Sequence, residues 1–234
     1  MDTADRSRTK RPPRSRRSDG ERSREAILDQ AARLATVEGI GGLSLSRLAD
    51  AVGMSKSGLF AHFGSKEELQ LETIEAASSL FTKQVIEPAS DADTAIERLH
   101  RLLDAYLRYL EVETFPGGCF FASALAEVDM QPGPVRDRLV EFLGDWLGRL
   151  EATVADAQKE GAIDASEDAA QLVFEFEAVL LLANAQYVVT RTQEPIERAR
   201  RAIEHRLDAA AARASKRKRQ PRRSRSPQAG GGSH

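Results

Sequence analysis

Cysteine is nearly missing from this chain. Cys119 is the only one in 234 residues, so no intrachain disulfide can staple the fold, which suits a reducing cytosol. Aromatic residues are sparse at 6%, with a single tryptophan. No segment alternates apolar and polar residues with period two, which argues against a sandwich or barrel of strands. Long apolar runs are missing too: the most apolar stretch, FEFEAVLLLANAQYVV from Phe174, is interrupted by Glu175, Glu177, Asn184 and Gln186, a poor membrane span. The N-terminus is basic but has no apolar h-region, so it is not a secretory signal. The histidines (His62, His100, His205, His234) are scattered, with no HExxH-like or triad-like spacing. No glycine-rich phosphate loop follows a strand, and Glu175 and Glu177 fall on different helix faces. These absences point away from an enzyme, a metal site or a cofactor, and toward a cytoplasmic protein.

What is present is a large apolar supply and an uneven charge. Hydrophobic residues make up 41% of the chain, and the formal net charge is −2. That near-neutrality is a sum over unlike regions. Residues 1–24 carry nine Arg/Lys against four Asp/Glu, and residues 213–234 carry eight Arg/Lys and no acid. Residues 25–212 are left with 17 basic and 32 acidic groups, a net of −15. An acidic globule with two basic ends is expected to offer those ends to a polyanion, most often nucleic acid.

Both ends read as disordered by composition: residues 1–22 are rich in Arg, Ser and Pro, and residues 213–234 are low-complexity and basic. Between them the periodicity is helical. Ile27, Ala31, Leu34 and Ala35 share one face of a helix starting near Glu25, which EGIGG (Glu38 to Gly42) stops. Ser44 caps a second helix, Ser55 a third reaching His62, and Ser65 a fourth running to about Glu87, where Pro88 ends it. Further helices are expected near 93–113, 119–129, 134–160, 166–192 and 195–212. Their breaks are FPGG, QPGP, KEGAID and TQEP, and Pro134 and Pro195 suit first helical turns. The fold class is therefore all-α: three short helices forming a helix-turn-helix domain over 23–83, then a helical bundle over 84–212, about nine helices in total.

Residues 44–63 meet the physical requirements of a helix-turn-helix. Two short helices crossing at a steep angle need a small side chain at the crossing, supplied by Ala49. The turn needs a left-handed backbone, supplied by Gly53. Leu48, Val52, Leu59 and Phe63 are placed to pin both helices to the first. The outward face of the second then shows Ser55, Lys56, Ser57, Gly58 and His62. Small polar residues let such a helix approach base edges closely, and Lys56 can reach a phosphate or a guanine.

Residues 24–70, REAILDQAARLATVEGIGGLSLSRLADAVGMSKSGLFAHFGSKEELQ, resemble the DNA-binding domain of TetR-type (tetracycline-repressor-like) transcriptional regulators. The likeness rests on the Ala49/Gly53 spacing, SKSGLFAHF, and SKEEL opening the fourth helix. It implies a repressor that binds a palindromic operator on double-stranded DNA as a homodimer and is released by a small-molecule effector. It further implies that Ser55, Lys56, Ser57 and Gly58 face the major groove. Ser44, Ser46 and Arg47 would meet phosphates on one side, His62 and Lys66 on the other. One departure is that the family usually has a tyrosine where Phe60 stands. Phe60 keeps the ring without the hydroxyl, which forfeits a phosphate hydrogen bond of roughly 0.5–1.5 kcal/mol per half-site.

The remainder resembles the family's ligand-binding and dimerisation domain in layout only. Dimer contacts are expected from the last two long helices: Leu172, Val173, Phe176, Val179, Leu180, Ala183 and Tyr187, with the small residues of LDAAAARA. The cavity candidates are Tyr106, Tyr109, Phe115, Phe120, Phe121, Phe142, Trp146 and Phe174, with Asn184 as the pocket polar group. Tyr106, Tyr109, Phe120, Phe142, Trp146 and Asn184 form the expected ligand set. Glu127 and Asp129 are placed to flank a cavity mouth or face water, and Cys119 to be a buried inert thiol. The fourth helix, common to both domains, is expected to carry ligand-driven motion to the DNA. The competing reading is a non-regulatory helical protein, either a small-molecule binder or a tail-driven nonspecific DNA binder.

Overall fold

The computed structural model describes residues 16–128 and 132–219, and every regular element among them is helical. The order is α1 (Arg16–Glu38), α2 (Leu45–Val52), α3 (Lys56–Phe60), α4 (Lys66–Phe81), α5 (Ala95–Glu111), α6 (Phe120–Val128), α7 (Pro134–Lys159), α8 (Ala169–Thr190) and α9 (Glu194–Arg219).

Three serines start α2, α3 and α4 of the N-terminal unit. Ser44, Ser55 and Ser65 have extended backbones, and their side chains accept from the N–H groups of Arg47, Gly58 and Glu68. Each satisfies one of the donors a helix start leaves unpaired. Gly53 ends α2 with φ +68 and ψ 28, the left-handed conformation expected of it. Ala49, Leu48, Leu59 and Phe63 are buried with Ile27, Ala31, Leu43 and Leu69 in a small core of their own, and Val52 packs on its edge.

A second, much larger core fills the bundle of α5 to α9. Two helices belong to both cores. On α1, Ile27 and Ala31 serve the small core and Ala32 and Ala35 the large one; on α4, Leu69 serves the small core and Ile74, Ala77 and Phe81 the large one. About 24 Å of continuous helix, at 1.5 Å per residue, thus ties the N-terminal surface to the middle of the bundle.

The boundaries differ from the periodicity in four places. The first helix begins at Arg16 rather than near Glu25, so residues 16–22 of the expected arm are helical. The fourth helix keeps α geometry only to Phe81, followed by a π turn (Thr82–Ile86) and a 3-10 turn (Glu87–Ala89). Pro88 lacks an N–H and crowds the carbonyl of Gln84; the widened turn, in which Glu87 N–H reaches Thr82 C=O, accommodates that ring. The third helix stops at Phe60, short of His62, and the last runs on to Arg219. Residues 1–15, Asp129 and 220–234 lie outside the described residues.

Among the described residues α8 alone has the length and hydropathy to cross a membrane, yet 39% of its most apolar window is buried in the fold. Its apolarity serves two faces. Leu172, Val173, Phe176, Leu180, Ala183 and Tyr187 are buried within the protomer and Val179 is half-buried. These were the expected dimer contacts; they are intramolecular core instead. The exposed apolar residues are Phe174, Leu181, Leu182 and Val189, at 68%, 42%, 58% and 83%. The expected set was one helical face away from the exposed one, because an all-apolar helix does not reveal which side its own bundle takes.

Candidate DNA-facing surface and ligand cavity

The surface is built on α3. Its inward residue Leu59 is fully buried, while Ser55, Lys56 and Ser57 are exposed and Gly58 is half-buried. Phe60 holds its ring 53% exposed beside them. Gly58 keeps the face low: a Cβ there would sit 3.1 Å from Ser55 Oγ, the capping atom. Helix and cap thus present one long cation, Lys56, on a platform of small groups.

Arg24, not among the expected site residues, braces this platform from α1. Its guanidinium donates to the His62 carbonyl at 2.5 Å, pairs with Glu72, and lies 4.6 Å from the centre of the Phe63 ring. A cation at the carbonyl end of α3 suits the helix dipole. His62 is half-buried with that carbonyl occupied.

Two of the expected phosphate ligands are engaged by the end of α1 and the turn that follows it. Arg47 pairs with Glu38, whose carboxyl lies below the usual carboxylate range because Arg47 donates to it. Lys66 donates from Nζ to the Gly41 carbonyl at 2.5 Å. Both side chains are exposed, and exposed pairs are weak in water, so a phosphate can take either cation over at small cost. Ser44 is occupied as a cap and Ser46 is exposed. The same turn is gripped from the bundle: Glu127 on α6 accepts from Gly41 N–H at 2.7 Å, and Gln70 on α4 donates to the Ile40 carbonyl at 2.7 Å. Glu127 is exposed, as one of its two expected placements had it, and from there it holds the turn at the edge of a surface pocket that Gly41, Lys66 and Gln70 also line. Asp129 lies outside the described residues.

The bundle contains a cavity of about 440 Å³ between α4, α5, α6, α7 and α8, a size that accommodates a small organic ligand. Of the expected set, Tyr106, Phe142 and Trp146 line it. Tyr109 and Phe120 are buried behind it, against Phe81 and Phe115. Phe174, also considered, faces outward. Asn184 is not at the cavity wall; its Oδ1 accepts from Cys119 N–H at 2.8 Å, bracing the start of α6. Phe121, another of the cavity candidates, lines it too, and residues not anticipated complete the lining: Phe81, Cys119 and Glu177 among them. Phe81 is central, with edge-on contacts to Tyr106, Tyr109, Phe121, Phe142 and Trp146 at centroid distances of 5.2–6.2 Å. Burial pushes the Cys119 thiol up, so it carries little thiolate at neutral pH.

Glu177 is the acidic member of an otherwise uncharged lining. Its Oε2 accepts from Trp146 Nε1 at 3.1 Å. Burial raises its pKa, and the indole N–H only partly offsets this. A carboxyl whose folded pKa is raised gives stability below its unfolded pKa that is lost as pH rises through the folded one. Glu177→Gln retains an acceptor for Trp146 and removes the charge. It should raise Tm by roughly 1–2 °C at pH 7, with the gap closing as pH falls below the ordinary carboxylate range. A variant less stable than wild type at pH 7 in thermal melts would contradict this.

The sequence did carry a sign of this residue: a glutamate inside the most apolar run of the chain, where it first reads only as an obstacle to membrane insertion.

Residues 27–73 match the family model for bacterial regulatory proteins, tetR family, and residues 95–203 match that for the tetracyclin repressor-like C-terminal domain. The HTH-type transcriptional regulator LmrA of Bacillus subtilis (strain 168) is 27% identical over 134 residues, covering 55% of this chain and 69% of its own. A TetR transcriptional regulator from Chloroflexus aurantiacus superposes with a TM-score of 0.74 at 25% identity, over 82% of this chain and 95% of that one. AibR, solved with isovaleryl coenzyme A and operator DNA, shares the fold at a TM-score of 0.63 and 21% identity, over 80% of this chain and 97% of its own.

Proposed function

The chain belongs to the TetR family, whose members are non-enzymatic DNA-binding transcriptional regulators, and on that premise we propose that it is a homodimeric repressor released from a palindromic operator by a small molecule. The observation that carries this is one helix with two roles: α4 begins at Lys66 beside the α3 surface and ends at Phe81 in the wall of the cavity. The two cores support a DNA-binding domain over 23–83 and an effector and dimerisation domain over 84–212, joined through α1 and α4. In the cytoplasm, where the operator lies, Ser55, Lys56, Ser57 and Gly58 read the major groove. Ser44, Ser46, Arg47, Phe60, His62 and Lys66 contact the flanking backbone. AibR's complex with a small molecule and operator DNA supports the pairing of these two functions on this fold.

The dimer forms on the exposed stripe of α8. Phe174, Leu182 and Val189 recur at seven- and eight-residue steps, a single face two or more turns long. Leu182→Glu should convert the dimer to a monomer, weakening self-association about 100-fold or more, since burying one leucine is worth roughly 1.5–3 kcal/mol and appears twice across a two-fold axis. Sedimentation equilibrium measures this. An unchanged dimer would move the interface elsewhere, and the protomer should stay folded because Leu182 is exposed in it.

Coupling runs through α6 as well as α4. Leu125 and Ala126 line the cavity, and the next residue, Glu127, holds Gly41, whose carbonyl holds Lys66. A ligand that displaces α6 therefore pulls on the turn that positions two DNA-facing cations, Arg47 and Lys66. Glu127→Ala should leave DNA and ligand binding in place but shrink the ligand-induced loss of DNA affinity by a factor of roughly 2 to 10. Undiminished coupling would exclude this route.

Footprinting on DNA flanking its own coding region tests the whole reading. A repressor protects one short palindrome and lets go when effector is added; a tail-driven binder coats any sequence and is displaced steeply by salt.

A further inference from the structure

We infer that the bundle cavity is built for an amphiphilic organic cation, with its positive centre held by Glu177 and its apolar body among the surrounding rings. This rests on the reading of that cavity as the effector site and names the chemistry it selects. Four observations carry it. First, Glu177 is the charged side chain of the lining, and no Arg, Lys or His stands there to receive an anion. The charge of a carboxylate-, sulfate- or phosphate-bearing ligand would find no cation there and would face the carboxyl of Glu177.

Second, Glu177 has no ion-pair partner among the described residues; its bond is to the neutral Trp146 N–H. Glu175, two residues away on the same helix, is matched by Arg206. A half-buried carboxylate left without a cation costs free energy that a bound cation can return. The raised pKa of Glu177 is the sign of that cost.

Third, the walls are π faces. Phe81, Tyr106, Phe142 and Trp146 line the same space, with Tyr106 and Trp146 stacked at an interplanar angle of 22°. Aromatic faces attract cations, most strongly when water is excluded. Fourth, residues 25–212 carry a net charge of −15, which favours cations over anions close to the bundle.

The test uses the full-length protein and three probes of similar size: benzyltrimethylammonium, its uncharged isostere neopentylbenzene, and phenylmethanesulfonate. Trp146 is the chain's sole tryptophan and sits in the cavity, so its fluorescence reports occupancy, with calorimetry as a second readout. Benzyltrimethylammonium should bind at least about tenfold more tightly than neopentylbenzene, and phenylmethanesulfonate should not bind. Glu177→Gln should abolish the preference for the cation and leave neopentylbenzene binding unchanged. Equal binding of cation and isostere, or a cation affinity unaltered by Glu177→Gln, overturns the inference while leaving the cavity a ligand site. If none of the three probes perturbs Trp146 or binds by calorimetry, the reading of the cavity as the effector site falls, and the inference with it.

Discussion

Lys56→Ala should cost the protein most of its affinity for its operator while leaving its fold intact. Lys56 is the exposed cation of α3, raised on a face of two serines and a glycine. Nothing else on that face has the reach or the charge to replace it. A lysine contact to a phosphate or to a guanine edge is worth about 1–3 kcal/mol. A two-fold dimer loses it twice, about 2–6 kcal/mol, or roughly 30-fold to 10⁴-fold in Kd. The readout is a titration of labelled operator at fixed salt, repeated over a salt series. If Lys56 meets only a phosphate, the affinity falls on all sequences alike and the salt slope drops by about one per site; if it reads guanine, discrimination at that base pair is lost as well. Thermal melts should match wild type because Lys56 is exposed. An unchanged Kd would remove α3 from the groove and with it the proposed mode of binding.

Gly117→Ala should have the largest effect on the fold itself. A Cβ at Gly117 would lie 1.8 Å from the carbonyl oxygen of Thr36 on α1. Backbone stands on both sides of that clash, so no side chain can swing away. Relief requires separating α1 from the loop before α6, which also breaks the bond from Gly117 N–H to Thr36 Oγ1, now 3.1 Å. The cost should be about 3 kcal/mol or more, a large part of the 5–15 kcal/mol typical of a whole protein. Tm should fall by roughly 6–12 °C. Gly144→Ala and Gly148→Ala are the controls. Both glycines lie inside α7 with open space where a Cβ would go, so alanine there should stabilise by about 0.5–1 kcal/mol. A melt of Gly117→Ala within 2 °C of wild type, taken roughly as measurement error, would mean that α1 and the α6 junction are not locked together.

Much of the N-terminal unit could be read from residue order because its determinants are local. A serine followed by helix formers starts a helix through its own side chain, and Ser44, Ser55 and Ser65 all do so. A glycine after a short apolar helix supplies a left-handed cap within one residue, as Gly53 does. Neither depends on anything distant in the chain. Arg24 escaped that reading because its partners, His62, Phe63 and Glu72, lie 38 or more residues away.

The bundle was less readable, for a related reason. Tyr106, Phe121, Phe142 and Trp146 were expected at a cavity and line one. Tyr109 and Phe120 have the same chemistry and differ only in which way their helices turn them. Asn184 was the natural polar group for a ligand, but a backbone N–H at Cys119 claims it. Glu177, treated as an interruption, turned out to face the cavity.

The order of amino acids by itself determined the all-helical class, the three serine-capped helix starts, the turn at Gly53 and the resemblance of residues 24–70 to a DNA-binding domain, because each is settled by residues close together in the chain. Only the tertiary structure decided which face of α8 is core and which is free, that Glu127 holds Gly41, that Gly117 admits no side chain, and that Glu177 stands among rings. Those depend on how helices far apart in sequence are rotated and pressed together, and the energy that sets those rotations is the packing of the whole bundle.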